Sequence, residues 1–326
     1  MSGAGSGGGA GVPVTAGGVP LPWLDTRFAE LEAAQRTGRL AHGILVGGGP
    51  GVGKRALVAA LARAWLCRAG EGPRPCGSCK SCLLTAAGNH PDLREVGPPE
   101  GKTVIAIDQI RELASQLALQ SHAEGAKVAV IAPAQAMTIA AQNSLLKTLE
   151  EPSGSAILVL ISESDAALAA TIRSRCQRVT VQPPEPAEAL RWLEAGGTPG
   201  ESAREALALA GRGPLAAAAL IESGFVEAAG HMAEALVAVA RGQGEPVALA
   251  ARWEKQEPQQ ATVAWLQGVA HALARRQAAG AGTALDMPAS HRAVVEACAG
   301  GVDGHALFAW LDQLNGAVAA LRGQAN

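Results

Sequence analysis

Gly48-Gly49-Pro50-Gly51-Val52-Gly53-Lys54-Arg55 is the stretch that predicts the fold of the N-terminal half of the chain. The apolar residues 43–46 before it favour a short buried strand, and the alanine- and leucine-rich residues 56–66 after it favour a helix. A strand, a glycine-rich loop with a lysine and a helix together form a P-loop. The glycines let backbone N–H groups wrap a phosphate, and the helix N-terminus adds partial positive charge. The residues expected to cradle the phosphates of ATP or ADP are Gly48, Gly51, Gly53 and Lys54.

Two positions depart from a P-loop that hydrolyses nucleotide. Arg55 stands where a Ser or Thr hydroxyl should hold Mg²⁺. Residues 127–132 predict a strand, and in a working ATPase the end of such a strand carries the acid that organises Mg²⁺ and water. Pro133-Ala134-Gln135 follows instead, so an acid would have to come from another strand. We expect the loop to accept phosphate or nucleotide but not to support hydrolysis.

The composition limits the classes of protein that fit. The chain has 326 residues and a net charge of −2, which gives no reason to expect strong general affinity for nucleic acid. No apolar stretch is long enough to span a bilayer. Residues 1–18 lack the basic and apolar segments of a signal peptide and are predicted to be a disordered Gly/Ala-rich tail. A cytoplasmic, reducing location is the expectation, so the cysteines are not interpreted as disulfides.

Four cysteines cluster in a short segment, at Cys67, Cys76, Cys79 and Cys82. Cysteines three residues apart with glycine between them point several thiolates at one centre, and Cys67 can supply a fourth ligand. Four thiolates suit a closed, structural Zn²⁺ site. The alternatives are an iron–sulfur cluster, which is disfavoured because Ala86 stands at the next expected cysteine position, and cysteines without a metal. His90 precedes Pro91 and is interpreted as a loop residue.

The remainder of the chain predicts further strands and many helices. Helices are predicted over 108–119 with Asp108 as its cap, and over 140–151, with strands over 156–161 and 179–181. The basic stretch around Arg175 is, from its residues alone, typical of a solvated edge. Pro183-Pro184-Glu185-Pro186 is a plausible domain boundary. Residues 305–321 form an amphipathic pattern suited to a helix bundle or to packing on partner chains.

These motifs occur together in one family. The chain resembles the delta-prime subunits of the bacterial DNA polymerase III clamp loader, which belong to the AAA+ group. The resemblance runs from Pro22-Trp23-Leu24 through the P-loop, the four cysteines and His90-Pro91-Asp92. It continues through Leu145-Leu146-Lys147-Thr148-Leu149-Glu150-Glu151-Pro152 and ends at Ser174-Arg175-Cys176. The C-terminal third matches only in helical texture and length.

The resemblance implies roles for several residues and a domain plan. Arg175 would be a trans-acting arginine finger that reaches ATP on a neighbouring subunit, and the four cysteines would hold a structural zinc ion. The implied fold is an α/β P-loop (AAA+/RecA-like) N-terminal domain with an inserted zinc module, a small helical lid domain and an all-α C-terminal collar domain. The corresponding boundaries are 19–182 with the zinc module at 67–92, then 183–226, then 227–326.

The function implied by the resemblance is that of a non-hydrolysing stator that helps load the sliding clamp on primed DNA during replication. Its partners would be the motor and delta subunits, with clamp and DNA engaged through the assembly. DNA polymerase (nucleotidyltransferase) activity would belong to the holoenzyme, because this chain shows no paired carboxylates for a two-metal site. The alternatives are an ATP-hydrolysing motor subunit and a zinc-stabilised scaffold without a role in ATP chemistry.

Overall fold

A computed structural model gives the fold and describes residues 15–16, 18–70, 72–119, 126–152, 154–255, 259–279, 287–298 and 300–323. Within those ranges, no helix has both the length and the apolar character needed to cross a membrane. Contacts divide the chain into two compact units, residues 1–49 with 53–182 and residues 50–52 with 183–326.

A short strand pair lies at the start of the first unit. Strand β1 (Thr15–Ala16) pairs antiparallel with β2 (Val19–Pro20). This pairing differs from the disordered tail expected for residues 1–18, of which residues 1–14 and 17 lie outside the described part of the chain.

The main sheet of the first unit has five parallel strands, in the order β4-β5-β6-β3-β7. Their bounds are β3 Gly43–Gly47, β4 Leu93–Val96, β5 Lys127–Ile131, β6 Ala156–Ser162 and β7 Gln177–Thr180. Every residue of β3, β5 and β6 is buried, which is the pattern of central strands covered on both faces. Because β3 pairs in parallel with β6 on one side and with β7 on the other, the carboxyl end of β3 lies between the carboxyl ends of these two strands.

Helices of the first unit accompany this sheet. They are α1 Asp25–Arg36, α2 Lys54–Leu66, α3 Lys80–Ala86, α4 Ile107–Ala118, α5 Ile139–Glu150 and α6 Ala170–Arg173. The apolar faces of α4 and α5 pack with the strands in one core that includes Leu113, Leu149 and Leu160. The parallel-sheet α/β architecture expected from the sequence is therefore present in this unit.

Two element boundaries differ from the sequence prediction for local reasons. Helix α4 begins at Ile107, so Asp108 is not its cap; instead the Gln109 side-chain oxygen accepts a hydrogen bond from the Ala106 N–H at 3.0 Å. The last strand begins at Gln177, not at Val179, because the backbone of Gln177 already pairs with Ile44 of β3.

The second unit is helical throughout its described residues. Its helices are α7 Pro186–Ala195, α8 Gly200–Leu209, α9 Pro214–Glu222, α10 Phe225–Ala240, α11 Pro246–Trp253, α12 Gln259–Ala279, α13 Ala289–Cys298 and α14 Gly304–Gly323. Helices α7 to α9 share one apolar cluster, and α10 and α12 to α14 share another, in which Trp265 is almost fully buried. The side chains of Val318 and Leu321, which extend the amphipathic pattern of α14, lie outside the described side chains.

A polar chain joins helices of the second unit. The Glu205 carboxylate on α8 accepts hydrogen bonds from the backbone N–H groups of Ala289 and Ser290, at 2.6 and 3.0 Å. The Ser290 hydroxyl donates to the same carboxylate at 2.6 Å and accepts from the Trp265 indole N–H at 3.1 Å. A carboxylate at a helix N-terminus satisfies donors that have no partner within the helix. Glu205 thus caps α13 from a distant part of the sequence.

Candidate functional site

The loop between β3 and α2 requires glycine at particular positions. Gly51 and Gly53 have φ of 67° and 97°, in the left-handed region that side chains rarely adopt. A Cβ on Gly53 would also lie 2.7 Å from the Leu24 Cδ1 atom. The P-loop residues expected from the sequence therefore lie in one glycine-dependent turn at the carboxyl end of β3.

Lys54 turns toward the loop itself. It is buried, and its Nζ donates to the carbonyl oxygens of Gly48 and Gly49 at 2.9 and 2.6 Å. A carboxylate oxygen of Glu163 lies 3.9 Å away. Burial lowers the pKa of Lys54, and the charge of Glu163 opposes that shift. To grip a phosphate, the ammonium group would have to leave the two carbonyls that hold it here.

Arg55 points away from the loop toward the carboxyl end of β5, which is separated from β3 by β6. Its Nη2 donates to the carbonyl oxygen of Ala132 at 3.1 Å. A guanidinium is cationic and has no acceptor, so it cannot take the place of a hydroxyl that coordinates Mg²⁺. The two departures from an active P-loop are thus in direct contact.

Two acids near the loop were missed by sequence reasoning. Glu163 and Asp165 follow β6, and β6 lies beside β3 in parallel register, with Gly47 opposite Ser162. A Cβ on Gly47 would lie 2.9 Å from an Asp165 carboxylate oxygen. The available signal was a pair of acids two and four residues after the strand predicted over 156–161. Assigning it to the loop required the strand order, which places two segments over a hundred residues apart side by side.

Arg175 lies at the amino ends of the parallel strands, and the loop lies at their carboxyl ends. It lies two residues before the start of β7, and its carbonyl oxygen is 3.3 Å from where a Cβ on Gly43, the first residue of β3, would lie. Its guanidinium is partly exposed, pairs with the Glu150 carboxylate at 2.6 Å and donates to the Thr171 carbonyl at 3.1 Å. The chain's own loop begins after Gly47, roughly 13 Å further along the strand at about 3.3 Å per residue.

The four clustered cysteines are brought together in space. The sulfur atoms of Cys67, Cys76, Cys79 and Cys82 all lie within 4.8 Å of one another, and the Cys76 and Cys82 sulfurs are 3.9 Å apart. Thiolates around a tetrahedral Zn²⁺ ion, at about 2.3 Å from the metal, are separated by about 3.8 Å. The donor set therefore fits a four-coordinate metal ion, and these cysteines could bind one.

Backbone donors and burial act on these sulfurs in opposite directions. Hydrogen bonds from the Cys79 and Ser78 backbone lower the pKa of Cys76 to about 6. Burial raises the pKa of Cys82 to about 12. Thiolates so close to one another repel, and a bound cation removes both that repulsion and the cost of burying the charge. The arrangement is suited to a metal that holds all the thiols ionised.

Both ring nitrogens of His90 are engaged by hydrogen bonds outside the cysteine cluster. Its Nδ1 accepts the backbone N–H of Asp92 at 3.1 Å, so its proton is on Nε2, which lies 3.0 Å from the Ser81 hydroxyl. Ser81 therefore receives a hydrogen bond from the imidazole, and this buried Ser–His–Asp group is not a nucleophilic triad. Its contacts tie α3 to the start of β4.

A parallel α/β domain with a glycine-rich loop between its first core strand and the following helix places the first unit in the class of P-loop proteins. Comparisons with known proteins then identify the family. Residues 24–185 match the family model described as DNA polymerase III, delta subunit. The chain is 37% identical over 234 residues to DNA polymerase III subunit delta' of Pseudomonas aeruginosa, a match covering 71% of this chain and 70% of that relative. It is 36% identical over 270 residues to the subunit delta' of Escherichia coli, covering 82% of this chain and 80% of that relative.

A third, shorter match is to DNA polymerase III subunit tau of Bacillus subtilis. It is 31% identical over 140 residues, covering 43% of this chain and 24% of that relative. The two longer matches establish the family. The chain belongs to the DNA polymerase III delta-prime subunit family.

Proposed function

We propose that this chain is a non-hydrolysing clamp-loader subunit that supplies Arg175 to ATP bound on a neighbouring subunit. The observation that carries the proposal is the contact between Arg55 and Ala132. A hydrolysing P-loop holds Mg²⁺ between a hydroxyl at the first of these positions and an acid near the second. Here a guanidinium and a backbone carbonyl meet instead, and the fixed positive charge opposes metal binding.

The position of Arg175 supports action on a neighbour. It lies beside Gly43 at the amino end of β3, and the chain's own loop lies at the carboxyl end of the same strand. An extended arginine side chain spans about 7 Å, which is short of the roughly 13 Å along the strand. The guanidinium is exposed enough to meet another chain, and its planar donors match the charge that develops on a transferring phosphoryl group.

The four-cysteine cluster is assigned a structural Zn²⁺ ion in this proposal. Its ligands would be Cys67, Cys76, Cys79 and Cys82. A bound zinc ion would cross-link the segment between α2 and α3. Four thiolate ligands leave no open position for a water molecule, so no catalytic chemistry is assigned to the metal. The partners of the proposal are other clamp-loader subunits, with the sliding clamp and primed DNA contacted through the assembly.

Hydrolysis of ATP by a clamp loader reconstituted with this chain tests the proposal. The comparison is wild type against Arg175→Ala, with Arg178→Ala as the matched control, because Arg178 is also exposed and lies three residues further on, within β7. We expect the chain alone to be inactive. In the assembly, Arg175→Ala should lower kcat by about 10³-fold or more, as for other arginine fingers, and Arg178→Ala should not change it.

Each outcome decides between the proposal and its alternatives. Activity of the chain alone would mean that it is a motor. An assembly whose rate is unchanged by Arg175→Ala would leave only a scaffold role for this chain. Failure to assemble at all, with wild-type chain, would contradict the proposal as a whole.

A further inference from the structure

A cavity of about 360 Å³ lies within the second unit, apart from the P-loop and the cysteine cluster. It is bounded by α8, the turn that follows it, α9, the start of α10, α12 and the start of α13. Its walls are largely apolar, with contributions from Leu209, Leu220, Phe225, Trp265 and Met287. The volume falls in the range of small-molecule sites, about 300–1,000 Å³.

One buried polar atom at this cavity has no partner. His291 lines the cavity and is only 6% exposed, and its Nε2 has no hydrogen-bond partner among the described residues. A neutral imidazole presents Nε2 either as a donor or as an acceptor, and a hydroxyl group can pair with it in either case. Buried polar atoms are rarely left unpaired, so this nitrogen is suited to a hydroxyl group of a ligand.

Helix α12 is adapted to the imidazole at this point. Gly268 lies in the interior of the helix, where glycine is less favourable than alanine. A Cβ on Gly268 would lie 2.3 Å from the His291 Cε1 atom and 3.0 Å from Nε2. Because residue 268 has no side chain, the imidazole ring can pack directly against α12, and Gly268 lines the cavity next to the ring.

Basic side chains are also among the lining residues, at Arg212, His271 and Arg275. All three are exposed, and none of the described lining residues is acidic. Neither guanidinium has an ion-pair partner among the described residues. The charge of Glu205 acts on the imidazole, and its carboxylate is engaged by the N-terminus of α13. The exposed side of the cavity is therefore positive, and its interior is apolar with one unpaired nitrogen.

We propose that this cavity binds a small organic phosphate monoester with an apolar or aromatic body that carries a hydroxyl group. Arg212, His271 and Arg275 bind the phosphate, whose three oxygens offer acceptors to donors on separate side chains. The body lies against the apolar walls, and its hydroxyl pairs with His291 Nε2. A single carboxylate has only two oxygens for the same three groups, which favours phosphate.

Calorimetric titration of the full chain with three simple probes tests the assignment of the ligand. The probes are 4-hydroxyphenyl phosphate, phenyl phosphate and inorganic phosphate. We expect the first to bind with a Kd of about 1 mM or below, the second about tenfold more weakly because it lacks the hydroxyl group, and the third more weakly still. Equal affinities for all three, or no binding, would overturn the proposal in favour of a cavity that holds water.

Variants locate the bound probe. Arg275→Gln is expected to weaken 4-hydroxyphenyl phosphate at least tenfold, and Arg292→Ala, an exposed arginine on α13 outside the cavity, is expected to leave its affinity unchanged. Ala264→Phe fills the cavity from an exposed position on α12 and should abolish binding without disturbing the core. If Lys54→Ala removes binding instead, the probe occupies the P-loop and the proposal is wrong.

Discussion

Arg55 donates a hydrogen bond to the backbone carbonyl of Ala132, with Nη2 and the oxygen 3.1 Å apart. The first residue stands where a P-loop carries its metal-binding hydroxyl, and the second closes the strand that would carry its acid. Because a guanidinium lies between these two positions, we expect neither to bind Mg²⁺. Restoring the hydroxyl at position 55 alone should therefore not restore Mg²⁺ binding.

Arg55→Ser tests this dependence directly. We expect the variant chain to remain without measurable Mg²⁺-dependent ATP hydrolysis, because no carboxylate follows β5 and Lys54 is held by the carbonyls of Gly48 and Gly49. Phosphate release at saturating ATP is the measurement. Turnover that appears in Arg55→Ser and disappears when Lys54→Ala is added would contradict this explanation.

The ion pair between Arg175 and Glu150 should compete with the finger role of Arg175 in the assembled loader. Glu150→Gln removes the pair, so we expect the ATPase rate of the assembly to rise, by no more than about fivefold, because a partly exposed ion pair is worth up to about 1 kcal/mol. Glu151→Gln, at the neighbouring exposed acid, is the matched control and should leave the rate unchanged. A rate that falls in Glu150→Gln would show that the carboxylate orients the finger.

Removal of one clustered thiol should release the metal. We expect Cys79→Ser to lower the zinc content from about one ion per chain and to lower the thermal stability, because a tetrahedral site loses one of four ligands. Elemental analysis of the purified chain and a melting curve are the measurements. Cys298→Ser, at a cysteine outside the cluster, is the control. Equal zinc content in both variants would mean that the cluster does not hold the ion.

His291 should make stability depend on pH in the acidic range. Burial lowers the pKa of its imidazole from 6.5 to about 4, with Glu205 opposing and Arg275 adding to the shift. Because the unfolded chain binds the proton more readily, this contribution is full above pH 6.5 and is lost as the pH falls toward 4. From pH 7.5 to pH 5, the loss is expected to be about 2 kcal/mol.

Urea denaturation of wild type and His291→Gln at these two pH values measures the effect. The wild type should lose more unfolding free energy than the variant over this range. His271→Gln, at an exposed histidine, is the control and should behave as wild type. An equal loss in wild type and His291→Gln would mean that protonation of the buried imidazole does not contribute to the pH dependence of the unfolding free energy.

The sequence alone determined the α/β class of the first unit and the local elements around its loop. Apolar runs of strand length and a glycine loop before a helix depend on neighbours within a few residues, so composition and spacing were sufficient to predict β3 and α2. The same was true of the cysteine spacing, because Cys76, Cys79 and Cys82 follow one another at three-residue intervals along the chain. Only Cys67, nine residues before Cys76, had to be brought in by the fold.

Only the tertiary structure decided which distant residues meet. The approach of Glu163 to Lys54 depends on the pairing of β6 beside β3, and the reach of Arg55 to Ala132 depends on β5 lying one strand further along. The same holds in the second unit, where Glu205 caps α13 and His291 lies against Gly268. Contacts of this kind arise from packing between elements, which the periodicity of a single segment does not encode.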